Sequence, residues 1–377
     1  MLNIPFYKLA SLNKPFKKKI ISKISEIIDS GYYINSQNTL EFEKKFSKFC
    51  SVKYCIAVGN GFDALAISFR ACKELNLLKD GDEVIVPANT YIASMLSITH
   101  ENLTPVLVEP DIQTFNIDAN KIEEKITKNT KAILVVHLYG QAANMDPILK
   151  LSKKYNLLVL EDCAQAHGAS FKGKSVGTFG IAGAFSFFPG KNLGAMGDAG
   201  AVVSNNKKII DVISKLRNYG EKQYKKNEPR KYLNEYIGRN SRLDEFQAAV
   251  LNIKLKSLKL EMNARKKIAN LYLKYISNPN VILPELNKNC SHVWHLFVVR
   301  VKDRVLFRQY LLNHRIHTLI HYPIPPHKQK AYKNIFHDSF PITEQIHKEV
   351  VSIPLSSALS LAEIQYIINT INSYKPK

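Results

Sequence analysis

Residues 157–168 read LLVLEDCAQAHG, an apolar run that ends in two adjacent carboxylates, Glu161 and Asp162. Four consecutive apolar residues are typical of a strand that is buried on both faces, as in a parallel sheet covered by helices. A carboxylate at the end of such a strand loses hydration and needs a hydrogen-bonding or cationic partner. Asp162 is therefore either a structural cap or ion-pair member, or the partner of a protonated heterocyclic nitrogen in a bound cofactor.

Short apolar runs alternate with longer amphipathic stretches between residues 51 and 205. Strands are predicted at Tyr54–Val58, Glu83–Pro87, Thr104–Glu109, Ala132–Leu138, Leu157–Glu161, Ala184–Phe188 and Gly200–Ser204, and helices at Asp63–Leu77 and Asp146–Tyr155. This alternation predicts an open α/β sheet, in which ligands bind beyond the carboxyl ends of the strands.

A helical pattern without proline or glycine, Asp244–Tyr275, leads into the last third of the chain. Beyond it, one strand and two helices are predicted at Trp294–Val301, Arg304–Asn313 and Leu361–Ser373. We therefore expect a large, mostly parallel-sheet domain at residues 1–250 and a smaller α+β domain at residues 251–377.

Residues 184–192 read AFSFFPGKN, so a predicted strand runs into a Pro-Gly turn that presents Lys191. A lysine in a turn is usually only solvated. Here Ser186 can meet a phosphate, and the glycines between residues 194 and 200 let the backbone approach a ligand closely. A lysine desolvated at such a site would have a lowered pKa and could act as amine nucleophile and base.

Residues 58–65, VGNGFDAL, join a strand to a helix through two glycines. Free amides at the start of that helix could bind a phosphate. The sequence is not a P-loop because no Gly-Lys-Ser/Thr follows, and Gly-x-Gly is also common in tight turns. Both interpretations stay open on this motif alone.

The net charge limits the kinds of partner that the protein is expected to bind. A net charge of +21 over 377 residues favours anionic partners, which include nucleic acid, acidic membrane and phosphorylated substrates. The lysines are scattered, and no zinc-finger, RNA-recognition or helix-turn-helix pattern is present, so we expect no nucleic-acid partner. The charge is either a solvated lysine-rich surface or a field that helps to capture a phosphorylated substrate.

The cellular setting follows from the cysteines and the apolar runs. The five cysteines are an odd number and form no CxxC pair, which argues against disulfides and a zinc knuckle and favours a reducing cytoplasm. The apolar runs are far shorter than the roughly 20 residues of a membrane helix, and the first residues lack the pattern of a secretory signal. We expect a cytoplasmic protein without membrane or metal.

In this order and at this spacing, the three motifs resemble the DegT/DnrJ/EryC1/StrS family of nucleotide-sugar aminotransferases. Further matching motifs extend the resemblance over nearly the whole chain, at Ile4–Phe6, Ala88–Tyr91, Val136–Gln141, Asn240–Ala249 and His321–Pro323. The resemblance implies the aspartate-aminotransferase-type fold (fold type I) and pyridoxal 5'-phosphate as cofactor. It also implies a homodimer with a shared active site.

The resemblance implies a role for each matched residue. Lys191 would hold the cofactor as a Schiff base, and Asp162 would pair with its ring nitrogen. The other cofactor contacts would be Gln165 at the ring hydroxyl, Tyr91 against the ring, Gly61, Phe62 and Ser186 at the phosphate, and Asn240 at the phosphate in the neighbouring subunit. His321 and Tyr322 would approach the sugar.

The resemblance also extends to the substrate. Residues 189–200, PGKNLGAMGDAG, resemble the subgroup that aminates carbon 3 of a dTDP-6-deoxy-hex-3-ulose, with glutamate as amino donor. Amination at carbon 4 is the alternative, although enzymes of that kind more often carry a threonine-rich stretch after the lysine. The product would be an amino sugar for a lipopolysaccharide or O-antigen.

Three residues depart from the expected family pattern: Phe62, Cys163 and Arg239. Phe62 could still donate its backbone amide. Arg239 either contacts a nucleotide phosphate or is merely solvated. The related sugar dehydratases carry histidine in place of the lysine, so Lys191 argues against that activity.

Overall fold

A computed structural model describes residues 2–222, 229 and 231–376. The strands, in chain order, are β1 (Tyr54–Val58), β2 (Glu83–Pro87), β3 (Thr104–Val108), β4 (Thr130–Val136), β5 (Leu158–Asp162), β6 (Ser170–Phe171), β7 (Lys174–Ser175), β8 (Ala182–Ser186), β9 (Gly200–Ser204), β10 (Phe297–Arg300) and β11 (Val350–Ile353). The α-helices are α1 (Leu9–Asn13), α2 (Lys17–Ser30), α3 (Gln37–Cys50), α4 (Gly61–Glu74), α5 (Ile92–Thr99), α6 (Met145–Tyr155), α7 (Lys207–Leu216), α8 (Glu245–Leu255), α9 (Leu258–Tyr275), α10 (Arg304–Asn313), α11 (Pro341–Glu349) and α12 (Leu361–Asn372). None of the described helices is long and apolar enough to span a bilayer.

Seven strands form one large sheet in the order β1-β9-β8-β5-β4-β2-β3. Strand β9 is antiparallel to both of its neighbours, and the remaining neighbouring pairs are parallel. The predicted mostly parallel α/β sheet is therefore confirmed, and all seven predicted strands of this region are present within a few residues of their expected ends. The carboxyl ends of β4, β5 and β8 consequently lie side by side at one edge.

Alternating residues of the central strands face two different apolar cores. In β4, Ile133 and Val135 belong to one cluster, whereas Ala132 and Leu134 belong to the cluster on the opposite face. This two-residue alternation is the side-chain period of a strand. It explains why these strands are apolar throughout: helices cover both faces of the sheet.

The predicted single helix at Asp244–Tyr275 is wrong, because the chain forms two helices, α8 and α9, separated by Lys256 and Ser257. Leu251 of α8 and Leu258 at the start of α9 lie in the same core of the large sheet, whereas Tyr272, near the end of α9, lies in a third cluster. The chain therefore passes from one core to the other along α9, after the break. Helical periodicity alone does not reveal the break.

The first residue of α8 fixes the start of α3. The carboxylate of Glu245 accepts hydrogen bonds from the backbone amides of Ser36, Asn38 and Thr39 at 2.9, 2.7 and 3.0 Å. Amides in the first turn of a helix have no partner within the helix, so this distant carboxylate serves as their cap. Glu245 is buried, at 1% exposure, so the cap also joins the two helices in the interior.

We predict that Glu245→Gln lowers the free energy of unfolding by about 2–3 kcal/mol, because the amide removes the charge and one acceptor from a buried set of donors. Urea denaturation monitored by circular dichroism measures the change. Glu124→Gln, at an exposed position, is the control and should change stability by less than about 0.5 kcal/mol. Equal effects of the two variants would contradict the capping role.

Candidate active site

A cavity of about 320 Å³ lies at the carboxyl edge of the sheet. Nine of the ten residues that the sequence predicts for the site line it, namely Gly61, Phe62, Tyr91, Asp162, Gln165, Ser186, Lys191, His321 and Tyr322. The tenth, Asn240, is exposed and is not among the lining residues. The cavity also contains residues that sequence reasoning missed, among them Tyr7, Thr90 and His295.

Asp162 is a buried carboxylate with two hydrogen-bond donors. Its oxygens accept from the hydroxyl of Ser94 at 2.8 Å and from the amide of Ala164 at 3.0 Å. Burial raises the pKa of Asp162, while these donors and the charge of Lys191 oppose the rise. Among the described residues, none forms an ion pair with Asp162. A cationic group on a ligand would offset the cost of keeping this carboxylate charged.

Ser94 and Thr90 orient Asp162 from the start of α5. The Ser94 hydroxyl gives its single hydrogen to Asp162, so the Thr90 hydroxyl, 2.8 Å away, must donate to Ser94 Oγ. Ser94 lies 68 positions before Asp162 in the chain, and only the fold brings the two together. In the sequence, only the Ala88–Tyr91 motif just before α5 indicated that this region belongs to the site.

The neighbouring carboxylate, Glu161, has a structural task. It accepts hydrogen bonds from the amides of Gly177, Phe179 and Gly180 at 2.7–2.8 Å. His137 Nδ1 accepts from a backbone amide, so its Nε2 holds the proton and donates to Glu161 at 3.1 Å. Together with Cys163, these two side chains lie close enough to hold a metal ion. However, the imidazole of His137 and the carboxylate of Glu161 already have hydrogen-bond partners within the protein. This cluster instead ties the strand end to the loop that follows.

Lys191 follows β8 in a turn closed by a hydrogen bond from its amide to the carbonyl of Phe188. Burial lowers the pKa of the Lys191 amine to about 8, and the negative charge of Asp162 opposes this change. A substantial fraction of the amine is therefore neutral near physiological pH. A neutral amine is the form that attacks a carbonyl carbon.

The start of α4 forms an anion cradle against Ser186. Asn60 caps the amides of Asp63 and Ala64, whereas no described residue hydrogen-bonds the amides of Gly61 and Phe62. A Cβ atom on Gly61 would lie 2.5 Å from the Cβ of Ser186, so only glycine allows this approach. Two free amides at a helix N-terminus beside a hydroxyl suit a phosphate group.

Tyr322 and Tyr91 form a further part of the cavity wall. The amide of Tyr139 donates to Gln165 Oε1 at 2.6 Å, and Gln165 Nε2 donates to the Tyr322 hydroxyl at 3.0 Å. The rings of Tyr91 and Tyr322 lie 5.0 Å apart. His321 is held by Ser352, and burial lowers the pKa of its imidazole to about 4, so the ring is neutral.

Of the two roles that the sequence left open for Arg239, the merely solvated side chain is excluded by its ion pairs, and the contact with a nucleotide phosphate stays a prediction. Its guanidinium pairs with the buried carboxylate of Glu101 and lies 3.7 Å from Asp63. These contacts brace the first turn of α4 against the end of α5. Phe62, another departure from the expected pattern, packs edge-on against His100 and leaves its amide facing the cavity.

The model of the DegT/DnrJ/EryC1/StrS aminotransferase family matches residues 15–372. The chain belongs to this family. It is 53% identical, over 98% of this chain and 99% of the relative, to the dTDP-3-amino-3,6-dideoxy-α-D-galactopyranose transaminase of Aneurinibacillus thermoaerophilus. The crystal structure of DesV from S. venezuelae has 37% identity and a TM-score of 0.93, covering 99% of this chain and 98% of DesV.

A third relative bears on the cofactor. NtdA from Bacillus subtilis, solved with bound pyridoxamine phosphate (PMP), is 31% identical with a TM-score of 0.89, covering 98% of this chain and 85% of NtdA. The site described above fits this type of cofactor: it offers a carboxylate for a ring nitrogen, free amides for a phosphate and a neutral amine for an aldehyde. This family member is a pyridoxal-phosphate-dependent aminotransferase.

We predict that cofactor-free protein captures pyridoxal phosphate faster as the pH rises, with a midpoint near the Lys191 pKa of about 8, because only the neutral amine reacts. Asp162→Asn should move this midpoint to lower pH, since the Asp162 charge raises the Lys191 pKa. Stopped-flow absorbance measures the rate. Asp29→Asn, at a remote exposed position, is the control. A midpoint that Asp162→Asn leaves in place would contradict the coupling.

Proposed function

We propose that this aminotransferase converts a dTDP-linked 6-deoxy-3-keto-hexose to the 3-amino sugar, with glutamate as the amino donor. The observation that carries the proposal is the 53% identity, over nearly the full length of both chains, to an enzyme named as a dTDP-3-amino-3,6-dideoxy-galactose transaminase. The absence of a threonine-rich stretch after Lys191 also favours carbon 3 over carbon 4.

The proposed cofactor contacts follow from the chemistry of the lining residues. Asp162 would hold the proton on the ring nitrogen, and its buried position without an ion-pair partner among the described residues supports this role. The amides of Gly61 and Phe62 would bind the phosphate together with Ser186 Oγ. Gln165 would lie beside the ring hydroxyl, and Tyr91 would cover the ring.

Lys191 is the proposed catalytic base. When bound, the cofactor supplies an electron sink that stabilises negative charge at the donor's α-carbon. Lys191 would hold the cofactor in the resting enzyme, and once the donor's amine had replaced it, its Nζ would be free to carry the proton from the donor's α-carbon. The lowered pKa of this amine supports the assignment, because a base is most effective when its pKa lies near the working pH.

His321 and Tyr322 are the proposed sugar contacts. Both line the cavity, and the imidazole of His321 is neutral. A neutral imidazole and a hydroxyl suit the hydroxyl groups of a sugar, since each can donate or accept a hydrogen bond. The diphosphate of the substrate carries negative charge, which the net charge of +21 attracts.

We predict that the purified protein with pyridoxal phosphate is yellow and that L-glutamate bleaches this absorbance. The glutamate-treated enzyme should then aminate a dTDP-6-deoxy-3-keto-hexose and regain its colour. A matched dTDP-4-keto-6-deoxy-hexose is the control, and product is identified by mass spectrometry and NMR. Preferential amination of the 4-keto sugar would favour the alternative at carbon 4 and overturn the assignment.

We further propose a cytoplasmic homodimer in which Asn240 reaches the cofactor phosphate of the partner subunit. Asn240 is exposed and lies outside the cavity of its own chain, which supports a role across an interface. Two large apolar side chains of the cavity lining, Tyr91 and Phe188, are 51% and 55% exposed in the single chain. A partner subunit would cover such surface.

We predict that mixed dimers of Lys191→Ala and Asn240→Ala subunits regain activity that neither variant has alone. In a mixed dimer, the site that keeps Lys191 receives an intact Asn240 from its partner. Random assembly should restore roughly a quarter of the wild-type rate, because half of the dimers are mixed and each has one intact site. Mixtures as inactive as the separate variants would contradict the shared site.

The proposed domain division is residues 1–250 and 251–377. Apart from Ile4, the third apolar cluster draws only on residues from 268 to 374, which supports a separate C-terminal core. The boundary lies within α8, close to the turn that separates α8 from α9.

The amino sugar is proposed to enter a lipopolysaccharide or O-antigen.

A further inference from the structure

A second, smaller cavity adjoins the cofactor cavity. It has a volume of about 40 Å³ and shares Tyr7, Gly190 and Lys191 with the larger cavity. Its other walls come from the N-terminal segment and from α8 and α9. A single water needs about 10–15 Å³ of such space, so this cavity suits a few waters or one carboxylate, not a sugar or a nucleotide.

Two cations line this small cavity without a salt bridge to a described residue. Arg265 is 7% exposed, and the hydrogen bonds of its guanidinium go to the backbone carbonyls of Trp294, His295 and Leu355 at 3.1–3.4 Å. The ammonium of Lys254 donates to the carbonyl of Gly194. Within the described part of the chain, neither side chain forms an ion pair.

The remaining charges of the lining balance these two only in part. The acidic residue is Glu261, whose negative charge acts on both cations and partly offsets the effect of burial on their pKa. Its carboxylate accepts a hydrogen bond from the Ser357 hydroxyl and forms no ion pair with a described residue. Lys8 also lines the cavity, but it is paired with Glu363 at 2.6 Å. Burial lowers the pKa of Lys254 to about 8, as well as the pKa of Arg265, because unpaired cations are costly to bury. An anion in this cavity would offset that cost.

We propose that the small cavity binds the side-chain carboxylate of a dicarboxylic amino donor. The inference rests on the proposed transamination from a glutamate-type donor. The donor's amine must displace Lys191, which is a wall of both cavities, so the donor's far end can extend past Lys191 toward Lys254 and Arg265. The donor's other carboxylate is attached to the reacting carbon and stays in the cofactor cavity.

The holoenzyme with Lys254→Met tests the proposal in the donor half-reaction, followed by loss of cofactor absorbance. We expect the ratio of kcat/KM for L-glutamate to that for L-alanine to fall about tenfold, the loss of one charge-assisted contact. Lys256→Met, an exposed lysine two residues away, is the matched control and should keep the wild-type ratio. An unchanged ratio in Lys254→Met would overturn the assignment.

A binding measurement on the unmodified holoenzyme does not depend on any variant folding. By calorimetry, glutarate should bind about tenfold tighter than butyrate, which has one carboxylate fewer. Equal affinities, or displacement of glutarate by inorganic phosphate at equal concentration, would show a general anion site and refute a dicarboxylate subsite. If no amino acid bleaches the cofactor, the proposed donor reaction fails, whereas the glutarate titration still decides the subsite.

Discussion

The buried carboxylate of Asp162 is the constraint on which the site depends. Taking a charge out of water at the end of a central strand requires compensation, and the fold supplies the Ser94 hydroxyl, the Ala164 amide and the nearby Lys191 amine. These partners leave the carboxylate without an ion pair among the described residues. Lys191 is buried as well, and its own burial lowers the pKa of its amine against the opposing charge of Asp162, so the cavity holds both an acceptor for a ring nitrogen and a reactive amine.

Glu161 and Asp162 are adjacent on one strand, but their side chains point to opposite faces of the sheet and therefore have different partners. Glu161 turns toward the loop at residues 177–180, where three amides and His137 satisfy it completely. Asp162 turns toward the cavity, where part of its capacity stays free. The residue type alone does not distinguish a structural carboxylate from a functional one. Here the two differ in the number of hydrogen-bond donors around each carboxylate.

Two places in the molecule offer hydrogen-bond donors or cations to a cavity. The amides at the start of α4 lie at the proposed phosphate position, and Lys254 with Arg265 line the small cavity that shares Lys191. The proposed substrates, a dicarboxylic donor and a diphosphate-linked sugar, are both anionic. Their charge is complementary to the net charge of +21.

Local sequence determined the parallel sheet, its strand ends and the motifs at Asp162, Lys191 and Gly61, because apolar runs and glycine turns are encoded by neighbouring residues. Tertiary structure alone decided the rest. Ser94 reaches Asp162 across 68 positions, Arg239 pairs with the buried Glu101, and the predicted long helix breaks into α8 and α9. Contacts between distant residues depend on how elements pack, and no periodicity in a single chain segment carries that information.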